Sequence, residues 1–535
     1  MVSKLGTISR WLAICGLLCV VSQIFAADWM MTDGWWCSWI AMGSFILVSA
    51  FLPPIQAGVA GFLMGFLSIG TAFWWAQRML AYTLDQEGIA PKSIFVGLVV
   101  GEALVFAIVG YWISRIRNQT PHAIGLLLPV CLWIVAETYW PRVFCWTLGH
   151  SQQGYLPWVQ VADLGGASAI TVVVWCGAAI PLLIFDSFNS IDGSRSLRAR
   201  RGLIAVLVII TSIWIYGKLR IYEIDRSSNA SELYRIGVIQ EDPSYRDAIE
   251  KMRSRSESLG TDIRLFVWPE STLSIHSLEL KSFADPVAML DLTMPPHVEI
   301  TPMLGLCAPL IVGGRSFHGL PNEQVPKYQT AFVVASDGTI LNHYHKRSLM
   351  PIGEYVPGEK LVPELHDWFQ LNDHLEPGTS DEPVTLSNGG STSNVGILVC
   401  YEDTMPAIAK RTTIAGAEVL VCIINASAFE DPIALRQHLR LAQLRAVENR
   451  RYFVRTAGTG ISCSIDATGR IEQQIPADTT GAIIANTHLR HDWTWYQTFG
   501  NWPPIAAALI ILVSITATRF KTKRPVVTEA TDSFS

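Results

Sequence analysis

Charge is scarce in this chain. Only 16% of its 535 residues are Asp, Glu, Lys or Arg, against 50% hydrophobic residues and a mean hydropathy of +0.31. That balance excludes a string of ordinary soluble domains and marks a membrane protein. The scarcity is uneven, because residues 1–217 hold 9 of the 45 acids and 11 of the 40 bases. A basic surplus is also missing: the formal net charge is −5 and the pI is near 6.2. With no basic face carrying interleaved aromatics, nucleic-acid partners are excluded. The ten cysteines contain no C-x-x-C pair and no regular spacing, so neither a zinc ribbon nor a disulfide framework is indicated. No glycine-rich phosphate loop follows a strand, and no cofactor is expected. His343 and His345 share one strand face without further convergent ligands, so no metal is expected either.

Long apolar stretches are what the chain does have. They occur at 11–26, 38–52, 55–76, 93–114, 123–141, 165–185, 202–217 and 503–518, each near the ~20 helical residues that cross a hydrocarbon core. The stretch at 38–52 is short and meets its successor at Pro53-Pro54, so a tight hairpin or re-entrant segment stays open and the count is seven or eight. The first stretch ends in Ile24-Phe25-Ala26-Ala27, a poor cleavage site, and is read as a retained anchor. Basic clusters fall at Arg115 and Arg117, at Arg195, Arg198, Arg200 and Arg201, and at Arg519, Lys521, Lys523 and Arg524. With eight spans, the positive-inside rule sets both termini on the cytoplasmic side and residues 218–495 on the opposite face. Trp493, Trp495, Tyr496, Phe499 and Trp502 lead into the last span as an interfacial belt. Glu102 lies within the fourth span, with no partner that the sequence names.

The expected organisation is about seven transmembrane helices over 1–217, one α/β domain over 218–495, a C-terminal transmembrane helix over 496–518 and a cytoplasmic tail over 519–535. Within the α/β domain, strand-like runs at 234–240 and 263–268 flank a charged helical stretch at 244–258, a β-α-β rhythm. Further strands are expected at 309–313, 329–335, 339–344, 395–400 and 419–424, and a helix at 431–449.

Reactive groups in α/β sheets collect where strands end. Glu270 follows Trp268-Pro269, Lys346 follows Leu341–His345, and Cys400 ends Val395–Val399. Together they suit acyl transfer through a thioester. Glu270 would be a base whose pKa an apolar wall raises, Lys346 would stabilise an oxyanion, and Cys400 would attack. Taken singly, each has a plainer reading: Glu270 as a strand-end cap, Lys346 as a surface charge, Cys400 as core.

The words around these residues choose between the readings. Trp268-Pro-Glu-Ser271, His345-Lys-Arg-Ser-Leu-Met-Pro-Ile-Gly-Glu-Tyr-Val-Pro357 and Leu398-Val-Cys-Tyr-Glu-Asp403 resemble the Glu, Lys and Cys segments of the nitrilase superfamily. The second is similar to the K-x-x-L-V-P-F-G-E-Y-x-P segment of the apolipoprotein N-acyltransferase family. Arg436-Gln-His-Leu439, Arg445-Ala-Val-Glu-Asn449, Arg455-Thr-Ala-Gly-Thr-Gly460, Thr494–Pro503 and Leu148-Gly-His-Ser-Gln-Gln-Gly-Tyr-Leu-Pro157 extend the resemblance over nearly the whole chain.

The resemblance implies a multi-span α-helical membrane domain plus an extracytoplasmic α/β nitrilase-like domain, an α-β-β-α sandwich, in a bacterial inner membrane. It implies Glu270 as general base, Lys346 as oxyanion stabiliser and Cys400 as nucleophile, with Glu354, Tyr401 and Glu402 supporting the site. Glu354 can equally only pair with Lys346 or Arg347, and Tyr401 only pack. The implied reaction is the last step of lipoprotein maturation. A membrane phospholipid donates an acyl chain to Cys400, and the α-amine of a diacylglyceryl-cysteine at an apolipoprotein N-terminus accepts it.

Two segments depart from the family pattern. Asn425-Ala-Ser-Ala-Phe-Glu430 carries Ala426 and Ala428 in place of an acid and a tryptophan, and Glu241-Asp-Pro-Ser-Tyr245 replaces G-N-I-P-Q. These keep open a membrane-tethered nitrilase-like amidase or hydrolase that passes its thioester to water. The remaining rival is a catalytically dead membrane scaffold.

Overall fold

The computed structural model describes residues 2–522 except 32, 85–86, 120–123, 143, 191–192, 274–304, 318–326, 352, 357, 360, 363–374, 389–390 and 430. Lys523 and Arg524 of the last basic cluster, with most of the expected tail, lie outside the described residues.

The N-terminal part is helical: α1 (Val2–Met30), α2 (Trp35–Phe51), α3 (Pro54–Ala72), α4 (Ala76–Thr83), α5 (Ile89–Gln119), α6 (Ile124–Tyr139), short α7 (Leu156–Val159), α8 (Ala162–Asn189) and α9 (Gly193–Asn229). Among the described residues, four helices are long and apolar enough to cross a membrane: Pro54–Ala72, Ile89–Arg117, Ala162–Asn189 and Gly193–Asn229. Shorter apolar helices occupy Gly16–Met30, Trp35–Phe51, Leu127–Tyr139 and Pro503–Thr516. The stretch at 38–52 is thus a helix of its own, joined to α3 by a tight turn at Leu52 and Pro53. Leu52 leaves α2 in an extended conformation, as a residue before proline must, and Pro54 opens α3, where a missing N–H costs nothing. Phe25, Trp29, Phe45, Met64, Phe106 and Trp133 fill the bundle core. Helix α3 lies close on α5 because Gly61 has no side chain: a Cβ there would stand 2.4 Å from the Phe106 carbonyl oxygen.

Beyond α9 the chain builds two six-stranded sheets. The first holds β1 (Tyr234–Gln240), β2 (Leu265–Val267), β3 (Leu310–Phe317), β4 (Lys327–Val334), β5 (Ile340–His345) and, at its other edge, β12 (Gly481–Thr487), in the order β12-β1-β2-β3-β4-β5. The second holds β6 (Val384–Asn388), β7 (Ser391–Val399), β8 (Val419–Ile424), β9 (Phe453–Ala457), β10 (Ser462–Ile465) and β11 (Ile471–Ile475), in the order β11-β10-β9-β8-β7-β6. Strands β1, β2 and β3 are parallel, as are β7, β8 and β9. Buried on both faces, β2 and β8 read as continuous apolar runs.

Ile236, Val238, Val267 and Ile311 from one sheet meet Ile397, Val399, Val421 and Val454 from the other. Helix α10 (Ala248–Ser258) covers the outer face of the first sheet. Helices α11 (Pro406–Ile414) and α12 (Pro432–Asn449) cover the second. The layers are those of an α-β-β-α sandwich.

Helix α12 also docks on the membrane bundle. Helix ends leave carbonyls without intrahelical donors, and α12 supplies donors to the end of α1. Gln437 Nε2 donates to Trp29 O (3.2 Å) and Ala72 O (2.8 Å), while its Oε1 accepts from Trp75 Nε1 (2.9 Å). Arg440 donates to Asp28 O (2.6 Å) and to Met31 O. At the other end of α12, Arg450 takes a left-handed conformation and donates to Asp163 (2.7 Å) and to the Gln160 side chain (2.7 Å).

The chain returns to the bundle through α13 (Trp495–Phe499) and α14 (Pro503–Thr522). Trp493, Trp495, Phe499 and Trp502 are exposed, but Tyr496 is buried. It is not a belt residue. Gly166, at φ +66°, makes room for its ring, since a Cβ there would stand 2.9 Å away.

Candidate active site

All three reactive side chains leave the sandwich at the C-terminal ends of strands. After β2, Pro269 cannot donate to a ladder, and the chain turns at Ser271 with φ +63°. Glu270 is thereby directed inward, 3% exposed. Gly313 on β3 lies beneath it, where a Cβ would stand 2.5 Å from the Glu270 Cα. Cys400 ends β7 at φ +52° and opens a 3₁₀ turn through Thr404. A non-glycine residue in this region stores strain of roughly 1–3 kcal/mol and turns its side chain out of the strand. Lys346 follows β5, and its amide donates to Gln329 O (2.8 Å).

Glu270 Oε2 accepts from the Asn425 N–H at 2.7 Å, and the Cys400 thiol lies within hydrogen-bonding reach of the same carboxyl. The thiol also points to Asn425 O at 3.7 Å. Lys346 Nζ donates to Glu354 Oε1 at 2.6 Å, and Glu354 Oε2 accepts from the Met350 N–H at 2.8 Å.

Burial pushes the Glu270 carboxyl up to about 7. Lys346 opposes that rise and Glu354 adds to it. Burial also drives the Cys400 thiol well above the ordinary thiol range, with Glu270 adding to the effect and Lys346 opposing it. For Lys346, burial would lower the pKa, but Glu354, Cys400 and Glu270 together hold the ammonium above the usual lysine range. The resting arrangement is a neutral thiol between a carboxyl that ionises near neutrality and a fixed positive charge. Proton transfer from sulfur to Glu270 would leave a thiolate facing Lys346.

Glu402 and Tyr401 are placed differently. Glu402 is fully buried and accepts from the N–H groups of Val399 (2.9 Å), Arg347 (2.6 Å) and Ser348 (3.0 Å) and from Tyr344 Oη (2.7 Å). It ties the strand end before Cys400 to the turn after Lys346. Tyr401 packs edge-on against Phe144, with ring centroids 6.1 Å apart.

A layer of charged side chains, given no role by sequence alone, lies behind the nucleophile. Asp403 accepts from Arg455 Nε (3.0 Å) and pairs with His438 Nε2 at 2.7 Å. Burial opposes the Asp403 charge, but His438 and Arg455 hold its pKa below the usual carboxylate value. Both partners belong to segments already seen as matching words, so the signal was present without its meaning.

The departing segments have structural work. Asn425 holds Glu270 through its backbone, which the alanines at 426 and 428 leave intact. Phe429 packs on Trp75, Phe144 and His438. Glu241 is buried and pairs with Arg255 at 3.0 Å. Cys400 borders an apolar cluster that includes Trp75 and Met79 from the helical bundle and Phe144, Met350, Met405 and Ala428.

The fold and this constellation define a cysteine enzyme of the carbon–nitrogen hydrolase class, carried on a membrane bundle. Residues 246–491 match the carbon-nitrogen hydrolase family, and residues 13–180 match the apolipoprotein N-acyltransferase N-terminal domain. An apolipoprotein N-acyltransferase of Geobacter metallireducens is 26% identical over 493 residues, covering 89% of this chain and 90% of that one. One from Azotobacter vinelandii is 25% identical, covering 86% of each. An amidase from Nesterenkonia sp. superposes with 17% identity and a TM-score of 0.34, covering 49% of this chain and 91% of that one. Along nearly its whole length the chain is thus similar to apolipoprotein N-acyltransferases.

Proposed function

We propose that the chain transfers an acyl group from a membrane phospholipid to the α-amine of the diacylglyceryl-cysteine at an apolipoprotein N-terminus, by way of a thioester on Cys400. The observation that carries this reading is the convergence of Glu270, Lys346 and Cys400 beside an apolar wall continuous with the helical bundle.

In the first half-reaction Glu270 takes the thiol proton and the sulfur attacks the ester carbonyl carbon. Lys346 stabilises the oxyanion, and the lysophospholipid oxygen leaves with the proton from Glu270. In the second, the amine attacks the thioester, Glu270 accepts the amine proton, and the thiolate leaves and is reprotonated. Glu354 holds Lys346, Glu402 holds the two turns together, and Tyr401 shapes the wall. Both substrates are lipid-anchored, and exposing their chains to water would cost about 0.8 kcal/mol per CH₂. A site held against the bilayer avoids that cost. The bacterial relatives support an inner-membrane placement, and the basic clusters support both termini cytoplasmic with the sandwich on the extracytoplasmic face.

The test is intact-mass analysis of the Cys400 peptide after incubation of detergent-purified protein with phospholipid alone. A hydroxylamine-sensitive acyl adduct, absent in Cys400→Ser and discharged onto a diacylglyceryl-cysteine peptide as its N-acyl product, is expected. Discharge only to water would make the chain a hydrolase, and no adduct on folded protein would overturn the reading.

A further inference from the structure

Glu102 is an acid inside the long apolar helix α5, 9% exposed. Its partner is Arg142, just beyond α6. Arg142 Nε donates to Glu102 Oε1 at 2.7 Å and Nη2 to Oε2 at 2.9 Å, a bidentate pair. The remaining nitrogen, Nη1, donates to Glu137 O (3.0 Å) and Trp146 O (2.7 Å), and the guanidinium lies 4.3 Å over the Trp146 ring.

One side chain thus fixes both ends of a short segment that reaches the nucleophile turn. Phe144 packs on Tyr401, the residue after Cys400, and on Trp75 and Phe429. Cys145 Sγ meets Met405 Sδ at 3.7 Å, at the far end of the same turn. Trp146 packs on Trp29 at the end of α1. The Cys400 turn is held from behind by Asp403 and from the side by Glu402, both belonging to the sandwich. On its membrane-facing side it is held by this segment.

We propose that Glu102 is a positioning residue: through Arg142 it holds Phe144 and Cys145 against the turn that carries Cys400, and so sets the nucleophile's wall from within the membrane bundle. The alternative is that the pair only neutralises two buried charges. A neutralising pair can be replaced by apolar side chains of similar size at little cost in stability, whereas a strut cannot be replaced without freeing what it holds.

The decisive variant is therefore Glu102→Leu combined with Arg142→Leu. Two readouts are taken on the full chain in detergent: alkylation of Cys400 by N-ethylmaleimide, followed on the Cys400 peptide by mass, and acyl-adduct formation from phospholipid. We expect about threefold or greater acceleration of alkylation, and a maximal rate of adduct formation reduced about tenfold or more, with the half-saturating phospholipid concentration unchanged. Wild-type rates in both would overturn the proposal. Arg142→Lys keeps the charge pair but loses the donors to Trp146 O, and it decides the matter if the double variant does not fold: intermediate alkylation rates are expected, and a wild-type rate counts against the strut. The acylation readout rests on the proposed transferase activity, but the alkylation readout does not. A wild-type protein that never acylates would sink that activity and leave the strut to be judged on alkylation.

Discussion

At the scale of single residues, Glu270 is held by one backbone N–H and opposed by burial, and its carboxyl ionises near 7. The base is needed without its proton, so Cys400 acylation is expected to be low at acid pH and to rise through about pH 7. Glu270→Gln should abolish that rise together with most of the rate, by about a hundredfold or more, as read from adduct formation across a pH series. Gly313→Ala tests the floor under the same residue. The added methyl must displace the Glu270 backbone, so a loss of about 1–3 kcal/mol in stability is expected, with a tenfold or greater fall in acylation of the folded fraction. The three reactive residues were legible because each sits inside a distinctive word of sequence. Asp403, His438 and Arg455 were not, because their meeting depends on a helix 35 positions and a strand 52 positions further along the chain.

Elements carry the docking. Arg450 ends α12 in a left-handed turn and places its guanidinium on Asp163 and Gln160 of the helical bundle. Arg450→Ala leaves Asp163 with Tyr216 and the part-exposed Arg220 as its polar partners among the described residues. Breaking a buried pair costs about 3–5 kcal/mol, and the remaining partners set the expectation near 3 kcal/mol. A lowered denaturation midpoint would record it, whereas Cys400 alkylation at low temperature should stay near the wild-type rate. The helices were legible because a lipid-suited segment must be apolar along its whole length. Strands β9 and β10 were not expected, since Arg455, Ser462 and Ser464 interrupt them with polar groups that are fully buried and partnered. An alternation rule reads such residues as solvent-facing. Glu102 posed the same problem, because its partner lies 40 residues away.

For the molecule as a whole, the sandwich is not separable from the bundle. Residues 218–495 expressed alone would expose the faces of α12 that meet Trp29, Ala72 and Trp75, together with the apolar surface opposite Met79 and Phe144. We expect that fragment to aggregate, and a monomeric, cooperatively unfolding fragment in size-exclusion and denaturation experiments would refute this. The interlock also bears on biogenesis. The backbone oxygens at the end of α1 are translated some four hundred positions before the amide and guanidinium groups that satisfy them. The leading helix must therefore wait, incompletely satisfied, while the rest of the chain is threaded and folded. A chain that ends before Gln437 has no groups to close those helix ends, so the bundle is completed only when the sandwich has folded against it.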